Sequence, residues 1–231
     1  MSTVLITGAN RGLGLEFSRQ YAESGWNVLA CCRKPEAAHA LNALAARHGN
    51  IQVHALDVGD FTQIDALASQ LADQSIDVLL ANAGIYGDSA DTGFGALDYQ
   101  QWSRTLLINA QAPVKLAEAF LPHLLRGKLR LIVPITSQMG SMGDNRGGGS
   151  LMYRSSKAAL NAAMKTLAID LKPQGIGVLI LHPGWVQTDM GGVQAPTTVT
   201  ESIAGMIGII RNFTLEDAGR FVNFKGMELP W

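Results

Sequence analysis

Short apolar runs rich in valine, isoleucine and leucine alternate along the chain with longer segments in which apolar and polar residues mix at helical spacing. The short runs predict strands at 4–7, 27–32, 51–56, 78–82, 129–137, 177–182 and 220–224. The longer segments predict helices at 12–24, 35–47, 60–74, 99–125, 151–172 and 200–212. Strands that alternate with helices in this way are typical of repeated βαβ units around a parallel sheet.

This alternation continues without a repeat, linker or low-complexity segment, and 231 residues suit one large α/β domain. Asp60 with Gln63 and Thr198 with Glu201 have the spacing of a capping box, which marks the starts of two helices. We therefore expect an α/β fold in a single domain, residues 1–231, with a doubly wound, mostly parallel sheet of seven strands and helices on both faces.

Composition and charge exclude several classes of protein. The chain is 47% hydrophobic and 16% charged with a formal net charge of -1, which argues against disorder and against binding to nucleic acid or an anionic membrane. Its apolar runs stop well short of the roughly 18 residues of a membrane span, and the start lacks a signal sequence, so we expect a soluble, cytoplasmic protein. Cys31 and Cys32 are adjacent and predict neither a disulfide framework nor a metal site; we interpret both as small strand residues.

The first strand leads directly into a glycine-rich turn. Gly8, Gly12 and Gly14 follow the apolar run at 4–6 and begin the first predicted helix. Glycines here let the backbone bend tightly and approach a pyrophosphate, whose charge meets the amide groups and positive end of the next helix. The turn predicts a nucleotide site, although similar glycines also occur where a strand and a helix simply pack closely.

Polar and glycine residues also follow the later strands, at the sheet edge where ligands bind in open parallel sheets. They are Arg33-Lys34 after strand two, Asp57 after three, Asn82-Ala83-Gly84 after four, Thr136-Ser137 after five and Pro183-Gly184 after six. Because the carboxyl ends of parallel strands share one edge, a single crevice would collect all of these residues.

Tyr153 and Lys157 are four positions apart and so share one face of a helix. A free tyrosine titrates near pH 10, so it exchanges protons poorly at neutral pH unless a nearby cation stabilises its phenolate. Lys157 has the spacing to do this, which predicts an acid catalyst. Taken alone, a tyrosine and a lysine at this spacing are more commonly exposed residues on a helix surface.

The ordered set of glycine turn, Asn82-Ala83-Gly84, Ser137, Tyr153 with Lys157 and Pro183-Gly184 resembles the short-chain dehydrogenase/reductase family over nearly the whole chain. The segment 182–192, HPGWVQTDMGG, and the ending at 228–231 look closer to the C-factor-like and Sniffer-like carbonyl reductase branch. The resemblance implies a Rossmann fold and an oxidoreductase that moves a hydride between a nicotinamide cofactor and a small carbonyl or alcohol substrate.

The resemblance also implies four catalytic residues. Tyr153 would exchange a proton with the substrate oxygen, which Ser137 would hold by a hydrogen bond. Lys157 would lower the pKa of the phenol and reach the ribose hydroxyls. Asn109, in a helix softened by Pro113, would hold a water that links Lys157 to solvent. From the residues alone, Asn109 would usually be a solvated helix position, and Ser137 could simply start a turn.

By the same resemblance, the cofactor would lie along the crevice. The glycine turn would bind the pyrophosphate, Asp57 and Val58 the adenine, the segment after strand four the adenosine ribose, and the Pro183 segment the carboxamide. Asp57 is as readily a turn residue, and the segment after strand four could chiefly brace the central strands. The expected cofactor residues are Gly8, Asn10, Arg11, Gly12, Leu13, Gly14, Cys32, Arg33, Asp57, Val58, Asn82, Ala83, Gly84, Tyr153, Lys157, Pro183, Gly184, Val186 and Thr188.

The end of strand two indicates which nicotinamide cofactor is used. An acid at this position would bind a free ribose 2′-hydroxyl, but Cys32 stands there and Arg33 follows, with Arg11 in the glycine turn. Guanidinium groups suit a 2′-phosphate because they donate two parallel hydrogen bonds. We expect NADP(H) to be preferred, with NAD(H) possible; the alternative is that these are ordinary surface cations, Lys34 above all.

Two features depart from the family pattern. Pro134 lacks the N–H that a central strand needs, which predicts an edge position or a bulge that could displace Ser137. The segment 143–149 carries three consecutive glycines and is either a lid over the substrate or a loose connection.

The surroundings of the crevice give weaker predictions. An apolar mouth would contain Ile85, Tyr86, Met139, Trp185 and Met190, all of which could equally be core residues. His182 is interpreted as a packed strand-end residue, without the partners of a hydrolase triad. Residues 191–212 resemble the variable substrate-binding region of the family, and the helices at 99–125 and 151–172 would build a homodimer or homotetramer.

The sequence therefore predicts an NADPH-dependent reductase of aldehydes, ketones or quinones. Two other functions stay open. One is a nucleotide-binding signalling protein of C-factor type with little turnover, and the other is an NAD-dependent alcohol dehydrogenase.

Overall fold

The structure is a computed structural model that describes residues 1–89 and 91–231. Its main sheet is parallel and has the strand order β3-β2-β1-β4-β5-β6. A second, two-stranded parallel sheet pairs β7 with β8. The strands are β1 Thr3–Thr7, β2 Asn27–Cys32, β3 Ile51–Ala55, β4 Val78–Ala81, β5 Leu131–Pro134, β6 Gly177–Val178, β7 Ile180–His182 and β8 Phe221–Asn223.

Helices cover both faces of the sheet, because the strands are apolar at odd and even positions alike. Leu5 and Leu79 face one core cluster and Val4 and Leu80 the other. The first cluster packs against α3, α5 and α6, and the second against α1, α2 and α7. The helices are α1 Gly12–Glu23, α2 His39–Arg47, α3 Phe61–Gln70, α4 Tyr99–Leu106, α5 Ala112–Arg126, α6 Leu151–Leu171 and α7 Val199–Arg211. The expected doubly wound α/β fold is confirmed.

The start signals of two helices are confirmed. The carboxylate of Asp60 accepts hydrogen bonds from the backbone N–H groups of Thr62 and Gln63 at the start of α3. The hydroxyl of Thr198 accepts from the N–H of Glu201 at the start of α7. Each cap satisfies N–H groups that have no partner within the helix.

The expected single strand at 177–182 is divided into β6 and β7, so the main sheet has six strands instead of seven. The N–H of Leu179 donates to the carbonyl of Ile132 at 2.9 Å, and the N–H of Thr136 donates to the carbonyl of Leu181 at 2.8 Å. In a parallel ladder the bond between these two would come from the nitrogen of Pro134, which carries no hydrogen. The interruption of the ladder is therefore a direct effect of the proline.

This interruption does not produce the bulge that the proline predicts. Ile132 lies opposite Val178 before the interruption, and Ile135 lies opposite Leu181 after it, so the register is unchanged. The chain therefore leaves β5 in register, and Ser137 is not displaced.

The expected helix at 99–125 is divided as well. A π-helical segment, Leu107–Gln111, separates α4 from α5, and the N–H of Ala112 bonds back to the carbonyl of Leu107. Pro113 lies just beyond and has no N–H for the carbonyl of Asn109, four residues earlier. Such widened turns occur frequently at functional sites.

The change of direction in strand order lies between β1 and β4. On one side the chain runs from β1 to β2 and β3, and on the other from β4 to β5 and β6. The helices that follow the two central strands leave toward opposite faces, which opens a crevice above their carboxyl ends.

Candidate active site

A cleft of about 950 Å³ lies above the carboxyl ends of the central strands. The sequence-predicted residues that line it are Gly8, Asn10, Arg11, Gly12, Leu13, Cys32, Arg33, Asp57, Val58, Asn82, Ala83, Gly84, Ser137, Tyr153, Lys157, Pro183, Gly184, Val186 and Thr188. Gly14 and Asn109 do not line the cleft but lie behind its wall, where they support lining residues.

The glycine turn forms one end of the cleft. Gly8 and Gly12 have φ values of 67° and 53°, a left-handed conformation that favours glycine. A Cβ on Gly14 would lie 2.2 Å from the carbonyl oxygen of Gly8, so no side chain fits there. In the described structure no side chain caps α1 at Arg11, and the first N–H groups of the helix stay available to a ligand. The turn therefore fits a phosphate group.

Asn82 holds this turn from the neighbouring strand. Its Nδ2 donates to the carbonyl oxygen of Thr7 at 2.8 Å, and its backbone N–H donates to the Thr7 hydroxyl at 3.1 Å. The N–H of Ala83 donates to the same hydroxyl at 3.0 Å. The side chain of Asn82 thus braces the glycine turn, which is the structural role that its sequence left open.

The end of β2 offers a cation and a neutral thiol. Arg33 is exposed at the cleft, and it forms no ion pair with any of the residues that the structure describes. Burial raises the pKa of the Cys32 thiol, so this group stays uncharged near neutral pH. Nothing in this pair would repel a 2′-phosphate.

Arg11 is engaged differently from its sequence-based expectation. Its guanidinium forms an ion pair with Asp189, on the loop that follows Thr188. Both side chains are largely exposed, and both residues line the cleft. The ion pair joins the glycine turn to the loop after β7 across the mouth of the cleft.

Ser137 and Tyr153 are brought together by tight packing of two segments. Ser137 begins a 3₁₀ turn, Gln138–Gly140, and its hydroxyl accepts a hydrogen bond of 3.1 Å from the N–H of Met139. A Cβ on Gly140 would lie 2.8 Å from the backbone carbon of Lys157, so the turn lies directly against α6. Ser137 and Tyr153 are each only 8% exposed.

Lys157 is 4% exposed, and its ammonium donates a hydrogen bond of 2.8 Å to the carbonyl oxygen of Ile135. The same ammonium lies 5.7 Å from the centre of the Tyr153 ring. Burial lowers the pKa of Lys157 to about 8.

Tyr153 has a raised pKa of about 12, opposite in direction to the sequence-based expectation. Burial is the main cause; the Ser137 hydroxyl opposes it and Tyr86 adds to it. Lys157 does not produce the expected lowering, because its ammonium lies over the face of the ring and bonds to Ile135. At neutral pH the phenol therefore carries its proton.

Asn109 lies in the π-helical segment and is 1% exposed. Its Nδ2 donates to the carbonyl of Ile85 at 2.8 Å and to the hydroxyl of Ser156 at 2.9 Å, and its Oδ1 accepts from the N–H of Ile85. The side chain thus ties the segment after β4 to α6. Because Pro113 leaves the Asn109 carbonyl without its helical donor, that carbonyl is the group that could hold the expected water.

Asp88 and Tyr86 support Tyr153, a role that the sequence did not predict for either residue. Asp88 accepts hydrogen bonds from the backbone N–H groups of Met152 and Tyr153, at 3.2 and 2.8 Å, and so caps α6 from outside the helix. The Tyr86 ring lies 4.8 Å from the Tyr153 ring, and its hydroxyl bonds to Ser150 at 2.7 Å. No local sequence signal could have identified this distant cap.

The apolar mouth and the glycine loop lie beside this group. Ile85, Tyr86, Met139, Trp185 and Met190 all line the cleft, as expected.

Hydrogen bonds to neighbouring segments fasten the glycine loop at both ends. Arg154 donates to the carbonyl of Gly148 at 3.0 Å, and the N–H of Gly143 donates to the carbonyl of Trp231 at 2.7 Å. These contacts favour a connecting loop that is fixed in place over a lid that moves freely.

Membrane-spanning helices and metal-binding clusters are both absent from residues 1–89 and 91–231. None of its helices combines the length and the apolar character needed to cross a membrane. Within the same residues, no group of three or more histidine, cysteine, aspartate and glutamate side chains is arranged to hold a metal ion.

Comparisons with known proteins agree with this geometry. The sequence model of the short chain dehydrogenase family matches residues 2–198. C-signal of Myxococcus xanthus is 43% identical over 166 residues, which are 72% of this chain and 99% of that protein.

Solved structures agree along the whole chain. The carbonyl reductase Sniffer of D. melanogaster has a TM-score of 0.92 at 36% identity, with 100% of both chains covered. The NADPH-bound carbonyl reductase from chicken fatty liver has a TM-score of 0.93 at 34% identity, covering 100% of this chain and 99% of that one. The resemblance inferred from the motifs, including the carbonyl reductase branch, is confirmed, and the chain belongs to the short-chain dehydrogenase family.

Proposed function

We propose that the protein is an NADPH-dependent carbonyl reductase that acts on an aldehyde, ketone or quinone. One observation carries the proposal: Ser137, Tyr153 and Lys157 line the same cleft as the glycine turn. A nucleotide held at the turn would therefore extend toward a proton donor. Carbonyl reductases of known structure, one of them with NADPH bound, share the fold over the full length of this chain.

The side chains divide the work of reduction. The bound nicotinamide supplies the hydride, and the protein supplies position and a proton. The Ser137 hydroxyl donates a hydrogen bond to the substrate carbonyl oxygen. Tyr153 then transfers its phenolic proton to that oxygen as negative charge develops there. The raised pKa of Tyr153, about 12, keeps the proton in place until it is needed.

Lys157 and the segments at each end of the cleft would hold the cofactor. Lys157 would donate to a ribose hydroxyl with an N–H group that Ile135 does not use. The turn at Gly8 and Gly12 would bind the pyrophosphate, and the segment from Pro183 to Thr188 the carboxamide. Asp57 and Val58 line the cleft where the adenine would lie.

The preference for NADPH rests on Arg33 and Cys32. Arg33 is a guanidinium without an acidic partner among the described residues, and Cys32 replaces the acid that would bind a free ribose hydroxyl. Arg11 is the weaker candidate for the 2′-phosphate because Asp189 already pairs with it.

Turnover of a carbonyl panel tests this function. Wild type and Tyr153→Phe are each incubated with NADPH and a set of aldehydes, ketones and quinones, and NADPH oxidation is followed by absorbance. We expect turnover that the tyrosine variant loses, although it still binds NADPH. Equal rates in the two proteins on every compound would reject the proposal.

A signalling function is the second candidate, because C-signal shares 43% identity over 72% of this chain. NADPH binding without turnover on any panel compound would favour it. NAD-dependent alcohol oxidation, the third possibility, would require tighter binding of NADH than of NADPH.

The assembly state follows from the same family resemblance. We propose a homodimer or homotetramer built on α4, α5 and α6, the elements within the two expected interface helices. Tyr99, Leu125 and Ile169 are exposed apolar side chains on these helices. Light scattering of the purified protein would measure its molar mass in solution. A monomer at micromolar concentration would contradict this assembly.

A further inference from the structure

A cluster of buried polar side chains lies behind Lys157, where α6 packs on the sheet. Asn161 follows Lys157 by one helical turn and is 3% exposed. Its Oδ1 accepts a hydrogen bond of 2.6 Å from the hydroxyl of Thr136. Its Nδ2 is buried and has no hydrogen-bond partner among the described residues. The cluster thus contains a buried donor group that the protein leaves unpaired.

His182 joins this cluster from the neighbouring strand. Ile135 lies opposite Leu181, so the next residues along, Thr136 and His182, lie opposite each other and point to the same face. Ile180, two residues before His182, packs in the core cluster on the α6 side of the sheet. The His182 ring is therefore directed toward the face that α6 covers.

The His182 ring supplies an acceptor. Its Nδ1 is buried and has no partner among the residues that the structure describes. Burial and the nearby charge of Lys157 lower the pKa of His182 to about 4, so the ring is neutral at neutral pH and one ring nitrogen accepts a hydrogen bond. Within the described residues, no direct bond joins this nitrogen to Asn161.

Unpaired buried polar groups are rare, and a bound water with two to four polar partners is the usual bridge between them. Here the unpaired Asn161 lies one helical turn from Lys157, and His182, half-buried at the floor of the cleft, lies close enough to Lys157 for the ammonium charge to lower its pKa. The Lys157 ammonium has three N–H groups, of which one donates to Ile135. A single water can accept from Asn161 and Lys157 and donate to His182, which pairs both of the side-chain atoms that lack a partner.

We propose that Asn161 and His182 hold one buried water molecule against Lys157, and that both act as positioning residues for this lysine. The water site stands on the buried cluster alone, while its effect on catalysis rests on the proposed function. The oxygen of this water faces the Lys157 ammonium and stabilises the charged form of the lysine. Loss of the water therefore lowers the pH at which Lys157 gives up its proton.

A crystal structure of the protein without cofactor tests the site directly. We expect one ordered water within hydrogen-bond distance of Asn161 Nδ2, His182 Nδ1 and Lys157 Nζ. Absence of density there at high resolution, or a direct bond between Asn161 and His182, overturns the proposal. This result does not depend on whether a carbonyl substrate is found.

Cofactor affinity across pH tests the positioning role in solution. The Kd for NADPH is measured by fluorescence for wild type, Asn161→Leu and His182→Leu. The other titratable side chains that line the cleft, among them Tyr153, Tyr86, Asp144 and Arg154, are the same in all the proteins. In both variants we expect the alkaline loss of affinity to begin about one pH unit lower, the effect of one lost hydrogen bond to a charged group.

Two further variants separate this role from a general loss of packing. His182→Asn retains an acceptor near the position of Nδ1 and should keep the wild-type pH profile. Met164→Leu alters a fully buried apolar residue on α6 and should leave the profile unchanged. An unshifted profile in folded Asn161→Leu or His182→Leu overturns the positioning role; if either variant fails to fold, the other decides.

Discussion

Replacing Lys157 with methionine measures what the buried ammonium costs the fold. Burial lowers the pKa of this residue from 10.5 to about 8. Between these two values the unfolded chain binds a proton that the folded chain does not, so the free energy of unfolding rises with pH across the window. Below pH 8 both states carry the proton, and the folded state bears the full cost of about 3 kcal/mol. Methionine has a similar length and no charge, so it removes this cost.

Urea unfolding of wild type and Lys157→Met, from about pH 7 to about pH 10, provides the assay. We expect the difference in free energy of unfolding between the variant and wild type to fall by about 2.5 kcal/mol over this range. Because all other titrating groups are common to both chains, the difference isolates Lys157. The variant also loses the hydrogen bond to Ile135, which changes its free energy of unfolding by the same amount at every pH. This loss therefore does not change how the difference between the two proteins varies with pH. A difference that stays constant with pH would refute the assignment of a strongly lowered pKa to this lysine.

Three other substitutions have defined outcomes. Gly14→Ala places a Cβ 2.2 Å from a backbone oxygen, so we expect loss of NADPH binding by fluorescence and a destabilisation of more than about 2 kcal/mol, whereas Gly49→Ala, with nothing within 4 Å, should behave as wild type. Arg33→Asp should raise the Kd for NADPH about 10- to 100-fold and leave that for NADH unchanged or lower; an equal change for both cofactors contradicts a 2′-phosphate contact. Asp88→Ala removes the cap of α6 and should cost about 1 kcal/mol in urea unfolding, while Asp88→Asn, which keeps an acceptor, should cost less.

Patterns that repeat along the chain were sufficient to predict the architecture. The alternation of apolar runs and helical segments predicts the doubly wound sheet, because strands buried on both faces must be continuously apolar. The cleft follows from the same pattern: residues just after the strands lie at one edge, where Asp57, Asn82 and Ser137 all line it. These predictions needed only local sequence and one topological rule.

Interactions between distant segments could not be predicted in this way. Asp88 caps a helix that begins at Leu151, and no local signal connects these positions. The direction of the Tyr153 pKa shift was also missed, because spacing brings Lys157 to the same helix face but does not show which atom its ammonium approaches. The effect of Pro134 was misjudged for a related reason. The sequence shows the missing N–H but not that the ladder on either side holds the register.

The supports of Tyr153 together explain how the site is kept ready for reaction. Asp88 fixes its backbone N–H, and Ser156 accepts from Asn109 while donating to the Tyr153 carbonyl at 2.8 Å. Tyr86 packs on its ring. Asp88 and Tyr86 follow β4, and Asn109, which holds Ser156, lies in the π-helical turn, so segments that follow β4 in the chain orient the proton donor on α6. A donor held in this way loses little further freedom when the substrate binds, which is the condition under which positioning lowers a reaction barrier.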